Sequence, residues 1–337
     1  MATAFLFPGQ GSQAVGMGYA LFEQHPEARA RFEAAQTQME EVDLLALMFG
    51  TDSSIADPDA ALKQTQITQP ALYTHSLAAM AVLDERGMTP DMVAGHSLGE
   101  YSALAAAGAL SFEDGLRLVQ RRGELMAEAG QKRPGAMAAI LGADDDEVDA
   151  VCASVTEASD GVVQPANYNA PGQIVISGDS AAVETASREI SGRTIPLPVS
   201  GAFHSPLMAY AHEGLADALD AVTIRPPECP VYLNVTAEPT TDPDVIRTRL
   251  LEQLGAPVRW AQTLQRMHAD GASHFVEVGE GRVLQGLVRR TLGRDVETAS
   301  AGLPKTSRIF RPPSALRPAT MPAPAVDGQR MDPPLSR

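Results

Sequence analysis

Short apolar runs closed by glycine or proline alternate along this chain with longer segments whose apolar residues recur every three or four positions. The first run, Thr3 to Phe7, ends at Pro8-Gly9 and predicts a buried strand followed by a loop. Helical spacing follows over Tyr19 to Gln38 and Ile67 to Arg86, the second with Leu72, Leu77, Met80, Val82 and Leu83 on an apolar face. Met92 to Gly95 predicts a strand and Leu98 to Ala107 a helix. Ser111 caps a further helix from Phe112 to Ala129, where Asp114 is placed for a capping box.

The pattern then changes. Gly135 to Leu141 predicts a strand, Asp144 to Ala153 a helix, and Val162 to Tyr168 and Gln173 to Ser177 two strands joined by a turn at Asn169 to Gly172. A helix over Ser180 to Ile190 and a strand over Arg193 to Leu197 complete the order β-α-β-β-α-β, the ferredoxin-like split unit. Beyond it come a helix from His204 to Leu219, a strand near Val231 to Val235, helices at Pro243 to Leu254 and Trp260 to Asp270, a strand at Ser273 to Val278, and a last helix after Gly279-Glu280-Gly281. Strands alternating with helices predict an α/β fold with a mainly parallel sheet covered on both faces. The predicted organisation is a large subdomain over 1–133 and 199–303, with a small ferredoxin-like subdomain inserted at 134–198. The stretch 304–337 holds eight prolines and no periodicity, and is expected to be disordered.

Composition narrows the function classes. The 337 residues are 44% hydrophobic and 20% charged, and no apolar run is long enough to span a bilayer. The amino terminus does not read as a signal peptide. Cys152 and Cys229 lack metal spacing and make no disulfide framework, which fits a reducing cytoplasm. A net charge of −16 argues against non-specific nucleic-acid binding. The proline-rich tail carries six basic residues against Asp327 and Asp332, so the body is more acidic still. Within it Arg117, Arg121 and Arg122 form a local basic cluster.

The most specific chemistry is Gly95-His96-Ser97-Leu98-Gly99, a G-x-S-x-G set between a predicted strand and helix. Such a nucleophile elbow presents the serine on a sharp turn and aims helix N–H groups at an anion formed on the substrate. A serine nucleophile needs a base. His204, at a loop-to-helix boundary in Gly201-Ala202-Phe203-His204-Ser205, is favoured over a purely structural histidine there. His96 adjoins the nucleophile but is expected to point elsewhere; His25, His75, His212, His268 and His274 read as surface or satisfied core residues. The loop from Pro8 to Gln13 is placed to supply an oxyanion-hole N–H beside that of Leu98. Its rival reading is nucleotide binding, from the loose match Gly9-x-Gly11-x-x-Ala14. Arg122 carries two readings of equal weight, a bidentate carboxylate clamp or a solvated surface arginine.

A resemblance then becomes specific. Phe7 to Gln13, Gln69-Pro70-Ala71, Gly95 to Ser102, Arg122-Gly123, Asn167-Tyr168-Asn169-x-Pro171-Gly172-Gln173, Gly201 to Ser205 and Glu277-Val278-Gly279 occur together and in order. The chain resembles the malonyl-CoA:acyl carrier protein transacylases of bacterial fatty-acid synthesis over roughly residues 3 to 303. The resemblance implies an α/β-hydrolase-like large subdomain with a ferredoxin-like small one. It implies Ser97 as acylated nucleophile, His204 as base and then acid, and Gln253 as the residue that orients the histidine. It implies Gln10 and Leu98 as oxyanion-hole donors, Arg122 as the malonyl carboxylate's partner, and Phe203 as a restriction on branched acyl groups. Malonyl-CoA and acyl carrier protein are the implied partners, with no metal or redox cofactor. A discrete malonyl acyltransferase of polyketide synthesis is the alternative. A serine esterase or thioesterase is disfavoured by triad order, because about 130 residues follow His204. A non-catalytic carrier-protein-binding module is disfavoured by retention of both Ser97 and His204.

Overall fold

The computed structural model describes residues 2–199 and 201–302. In chain order the strands are β1 (Ala2–Phe7), β2 (Met92–Gly95), β3 (Ala136–Leu141), β4 (Val163–Ala170), β5 (Gln173–Gly178), β6 (Arg193–Pro196), β7 (Val231–Tyr232), β8 (Pro239–Thr240), β9 (Ala272–Val278) and β10 (Glu297–Ala301). They form two sheets. The larger runs β10-β9-β1-β2-β7-β8, parallel throughout except for the antiparallel β7–β8 pair at one edge. The smaller is antiparallel, in the order β4-β5-β3-β6. The protein is therefore a mixed α/β fold with a mainly parallel sheet and a separate antiparallel one.

The large sheet is apolar on both faces because helices cover both. Phe5, Phe7, Val93, Val276 and Val278 pack into one core with the helices Thr65–Glu85 and Phe112–Lys132. The alternate residues Ala4, Leu6, Met92, Ala94 and Phe275 pack into a second core with Trp260–Ala269 and Val283–Leu292. A third core, around Ile140, Val148, Ile174 and Ile176, holds two helices against the small sheet. Two main-chain bonds fasten β4 of the small sheet to the segment ahead of helix Trp260–Ala269: Tyr168 N–H to the Val258 carbonyl at 2.9 Å and Val258 N–H to the Ala166 carbonyl at 2.8 Å.

Several elements differ from the sequence pattern. The helix expected over Tyr19 to Gln38 is broken into Tyr19–Gln24 and Pro26–Gln38, because Pro26 cannot donate into a preceding turn and starts a new helix instead. The helix expected from His204 begins later. His204 has φ 58°, outside the helical region, and a 3₁₀ turn at Pro206–Met208 precedes the helix Ala209–Asp220. The strand expected to reach Val235 stops at Tyr232, where Asn234 turns in to serve the site. β10 and the short helices Leu44–Phe49 and Pro58–Leu62 were not foreseen. Ser111 caps its helix by accepting the Asp114 N–H at 3.0 Å, but the Asp114 carboxylate pairs with Arg117 rather than completing a capping box. The expected disordered tail, 304–337, lies outside the described residues.

The elbow after β2 is the tightest point of the large sheet. A Cβ built at Gly95 would overlap the Gly99 backbone, and one at Gly99 would overlap the Phe7 carbonyl. Both glycines are thus required by close backbone approach. Gly95→Ala is expected to destabilise the protein by about 1–3 kcal/mol or more through overpacking. Chemical denaturation will read this, and an unchanged midpoint would show that the elbow can relax.

Candidate active site

β2 delivers Ser97 at the carboxyl end of the parallel sheet, where helix Gly99–Ala106 begins. Ser97 sits at φ 52°, a left-handed conformation that costs a non-glycine residue about 1–3 kcal/mol. Asn234 holds the turn in that shape from both sides. Its Oδ1 accepts the Ser97 N–H at 2.7 Å, and its Nδ2 donates to the Gly95 carbonyl at 2.7 Å.

His204 reaches Ser97 from the loop ahead of Ala209–Asp220, with Nε2 2.7 Å from Ser97 Oγ. Its other nitrogen, Nδ1, lies 2.9 Å from the Gln253 main-chain oxygen. That carbonyl is available because Gln253 is the C-cap of helix Pro243–Glu252, where the last carbonyls have no partner further along the helix. A carbonyl only accepts, so Nδ1 carries the proton and Nε2 is left as the acceptor for the serine hydroxyl. The other end of the chain is equally directed. Arg122 Nη2 donates to Ser97 Oγ at 3.1 Å, and a guanidinium has no acceptor. The order Arg122, Ser97, His204, Gln253 therefore has one possible proton arrangement, with Ser97 giving its hydrogen to His204.

Arg122 resolves its two readings by burial, being 1% exposed. It lies on the inner stripe of Phe112–Lys132 with Val119 and Met126, whereas Arg117 and Arg121 are on the outer face, paired with Asp114 and Glu124. Each hydrogen bond it makes goes to a neutral oxygen: Gln69 Oε1 at 2.9 Å, Gln253 Oε1 at 2.9 Å, and Ser97 Oγ. Its Nε has no partner among the described residues. The Tyr101 ring lies 5.5 Å from the guanidinium carbon and the buried Glu100 is close enough to interact with its charge, but no carboxylate hydrogen-bonds to Arg122 among the described residues.

Electrostatics follow from this burial. Desolvation, with the Arg122 charge beside it, pushes His204 down to about 3, so the imidazole is neutral at ordinary pH. Glu100, also fully buried, is pushed up to about 7 by desolvation, against the stabilising pull of the Asn234 N–H, the Gln253 amide and Arg122.

These groups face a cavity of about 110 Å³. Gln10, His96, Ser97, Leu98, Arg122 and His204 line its polar side; Met126, Met137, Leu197, Val199 and Phe203 line the apolar side. All of the candidate residues named from sequence except Gln253 therefore border one cavity, and Gln253 stands directly behind it. His96 is held away from the serine by a 2.8 Å contact of Nε2 with Asn169 Oδ1 and by edge-on packing against Trp260. The Pro8–Gln13 loop packs on the elbow, with Gly9 against the His96 carbonyl. The next helix starts only at Tyr19, so the phosphate-facing helix end that the nucleotide reading requires is missing directly after this loop. His75 is fully buried beside the Gly302 main chain, with its Nε2 3.6 Å from the Glu280 carboxylate.

Three site residues were missed. Gln69 and Glu100 stood inside motifs already singled out, Gln69-Pro70-Ala71 and Gly95 to Ser102, without an assigned role. Asn234 had only its place at the end of a parallel strand as a signal.

Comparison with known proteins agrees with this geometry. Residues 4–308 match the family described as "Acyl transferase domain". A malonyl CoA-acyl carrier protein transacylase of Bacillus subtilis is 47% identical over 310 residues, covering 91% of this chain and 95% of the relative. The crystal structure of an acyl-carrier-protein S-malonyltransferase from Bartonella henselae matches with a TM-score of 0.82 at 39% identity, covering 90% of this chain and 96% of that one. A malonyl-transacylase solved in complex with a type II PKS acyl-carrier protein matches with a TM-score of 0.82 at 38% identity, over 90% and 96% of the two chains. With a nucleophile elbow, a histidine and a buried arginine converging on one cavity, the chain belongs to the malonyl CoA-acyl carrier protein transacylase family of acyl transferases.

Proposed function

We propose that this protein transfers the malonyl group from malonyl-CoA to the phosphopantetheine thiol of acyl carrier protein through a covalent acyl-serine. The observation that carries the reading is the directed chain from Arg122 through Ser97 and His204 to the Gln253 carbonyl. His204 Nε2 takes the Ser97 proton as Oγ attacks the thioester carbon. The resulting oxyanion is held by the Gln10 and Leu98 main-chain N–H groups, at the start of helix Gly99–Ala106. The C–S bond breaks, and CoA leaves as the thiol with the proton from His204. In the second half the carrier's thiol gives its proton to His204 and attacks the acyl-serine, and Ser97 regains its hydrogen as the ester breaks. Arg122 leaves Ser97 Oγ for the malonyl carboxylate, and Phe203 with Met126, Met137, Leu197 and Val199 limits the size of the acyl group. Transfer written this way needs neither metal nor redox cofactor.

In the same proposal the chain folds as an α/β-hydrolase-like unit over 1–133 and 199–303, with a ferredoxin-like unit over 134–198. The β3-to-β6 order with two intervening helices and the sheet order β4-β5-β3-β6 support the second of these. The malonyl-acyl carrier protein formed would serve fatty-acid synthesis. The matched transacylase bound to a type II PKS carrier keeps polyketide synthesis as a second reading. No described helix is long and apolar enough to cross a membrane; a cytoplasmic setting belongs to the proposal.

Intact-protein mass spectrometry after incubation with malonyl-CoA tests the reaction class. A malonyl adduct on Ser97 is expected, and turnover to free malonate without an adduct would favour an esterase. The pH dependence tests the base. An unperturbed imidazole would lose neutral form roughly eightfold between pH 6 and pH 5. His204, lowered to about 3, keeps its neutral form across that window and loses it only as the pH falls through about 3. Glu100, raised to about 7, stays mostly protonated at both pH values. The pre-steady-state burst of CoA release is therefore expected to change less than twofold; an eightfold fall would place the base at an ordinary histidine value.

A further inference from the structure

Behind the reacting groups lies a carboxylate with no role in the transfer as written. Glu100 is 0% exposed, on the first turn of the helix that follows Ser97. Its Oε2 accepts the Asn234 main-chain N–H at 2.9 Å and Gln253 Nε2 at 3.0 Å, while Oε1 has no partner among the described residues. Keeping an acid in so dry a place is costly unless its bonds do something.

Those bonds settle the orientation of a group that touches every reacting residue. A carboxamide has one accepting and one donating end. Gln253 Nε2 donates to Glu100 Oε2 and to the Ser97 carbonyl at 3.0 Å, so its Oε1 is turned toward Arg122 Nη2. Were the amide reversed, an NH₂ group would face the guanidinium, donor against donor, and Arg122 would lose one of its neutral anchors. The second bond of Glu100 fixes the main chain at Asn234, whose side chain clamps the strained Ser97 turn.

We propose that Glu100 is a positioning residue for carboxylated-acyl selectivity, holding the Gln253 carboxamide so that its oxygen aims Arg122 into the acyl cavity. The inference rests on the reading of Arg122 as the malonyl carboxylate's partner. It concerns the Gln253 side chain alone, since the Gln253 carbonyl that serves His204 belongs to the main chain. Charge is not the operative feature: a neutral side chain that presents an accepting oxygen at the Oε2 position would do the same work. The burial that raises Glu100 to about 7 is consistent with a group that works in either protonation state.

The test compares malonyl-CoA with acetyl-CoA in the acylation half-reaction, using Glu100→Ala, Glu100→Gln, Gln253→Ala and the Glu100→Ala/Gln253→Ala double variant. Arg122→Ala serves as the separate check on the underlying reading. Glu100→Ala is expected to lower the malonyl-to-acetyl ratio of kcat/KM by at least tenfold, mainly through KM for malonyl-CoA. Glu100→Gln keeps the accepting oxygen and should restore most of the ratio, and it answers the question if the alanine variant does not fold. The double variant should be no less selective than Gln253→Ala alone, because the two side chains act as one unit. An equal fall with both substrates, a glutamine variant as unselective as the alanine one, or additive losses in the double variant would each overturn the proposal. If Arg122→Ala itself leaves the ratio unchanged, the reading beneath has failed, and that result is distinct from any outcome at Glu100.

Discussion

Replacing Ser97 by alanine is expected to remove the covalent malonyl adduct and lower malonyl transfer by about 10⁶-fold, the scale seen when a hydrolase nucleophile is deleted. The fold should survive. Alanine carries the same Cβ, and the Asn234 bonds that hold the turn go to the Ser97 main-chain N–H and the Gly95 carbonyl. The left-handed strain at position 97 is unchanged by the substitution. What is lost is the oxygen between Arg122 and His204, and no other serine or cysteine among the described residues lines the cavity; His96 is committed to Asn169. Intact mass after malonyl-CoA treatment, alongside a thermal scan, reads both parts. A surviving adduct in a folded variant would move the nucleophile elsewhere.

Arg122→Ala should separate two substrates that differ by one carboxylate. Truncating one member of a buried charge pair costs about 3–5 kcal/mol, or roughly 10² to 10³·⁵ in kcat/KM. That loss is expected with malonyl-CoA. Acetyl-CoA brings no anion to the guanidinium, so its rate should hold or rise, since a desolvated cation without an anion no longer has to be accommodated. Arg122 also donates to Ser97 Oγ in the resting enzyme, so an equal fall with both substrates would identify it as part of the serine's support rather than as the selector. Kinetics of the half-reaction with each thioester decide between these outcomes.

The parts of the site legible from sequence are those set by local backbone demand. Gly95 and Gly99 announce the elbow because no other residue fits between crossing backbones, and the alternation of strands and helices follows from a sheet buried on both faces. Periodicity alone does not decide Arg122 from sequence, although it falls on the same helical stripe as Val119 and Met126; its burial in the fold does. Gln69, Glu100 and Asn234 act through hydrogen bonds to residues 53, 153 and 137 positions away, and no local period encodes such bonds. The misplaced helix start at His204 has the same origin. Ser205-Pro206 does open a helical segment, but reach to Ser97 requires the residue before it to turn left-handed. β10, Glu-Thr-Ala-Ser-Ala, escaped notice because an edge strand of small residues shows no apolar run.

The two main-chain bonds between Tyr168, Ala166 and Val258 bring the antiparallel sheet against the rest of the enzyme, and the cavity is lined from both sides of that seam. Ser97, Arg122, His204 and Gln253 all stand on segments outside the antiparallel sheet, while Met137, Asn167 and Leu197 reach the same cavity from within it or at its margin. Part of the cavity wall is thus written in a stretch of sequence separate from Ser97, His204 and Gln253, while Arg122, Met126 and Phe203 share the rest of the chain with them. Variation confined to Met137, Asn167 and Leu197 reshapes the pocket wall while sparing Gln164, whose amide donates to the His204 carbonyl at 2.8 Å, and a library limited to those three positions should recover altered acyl preference far more often than loss of the acyl-enzyme.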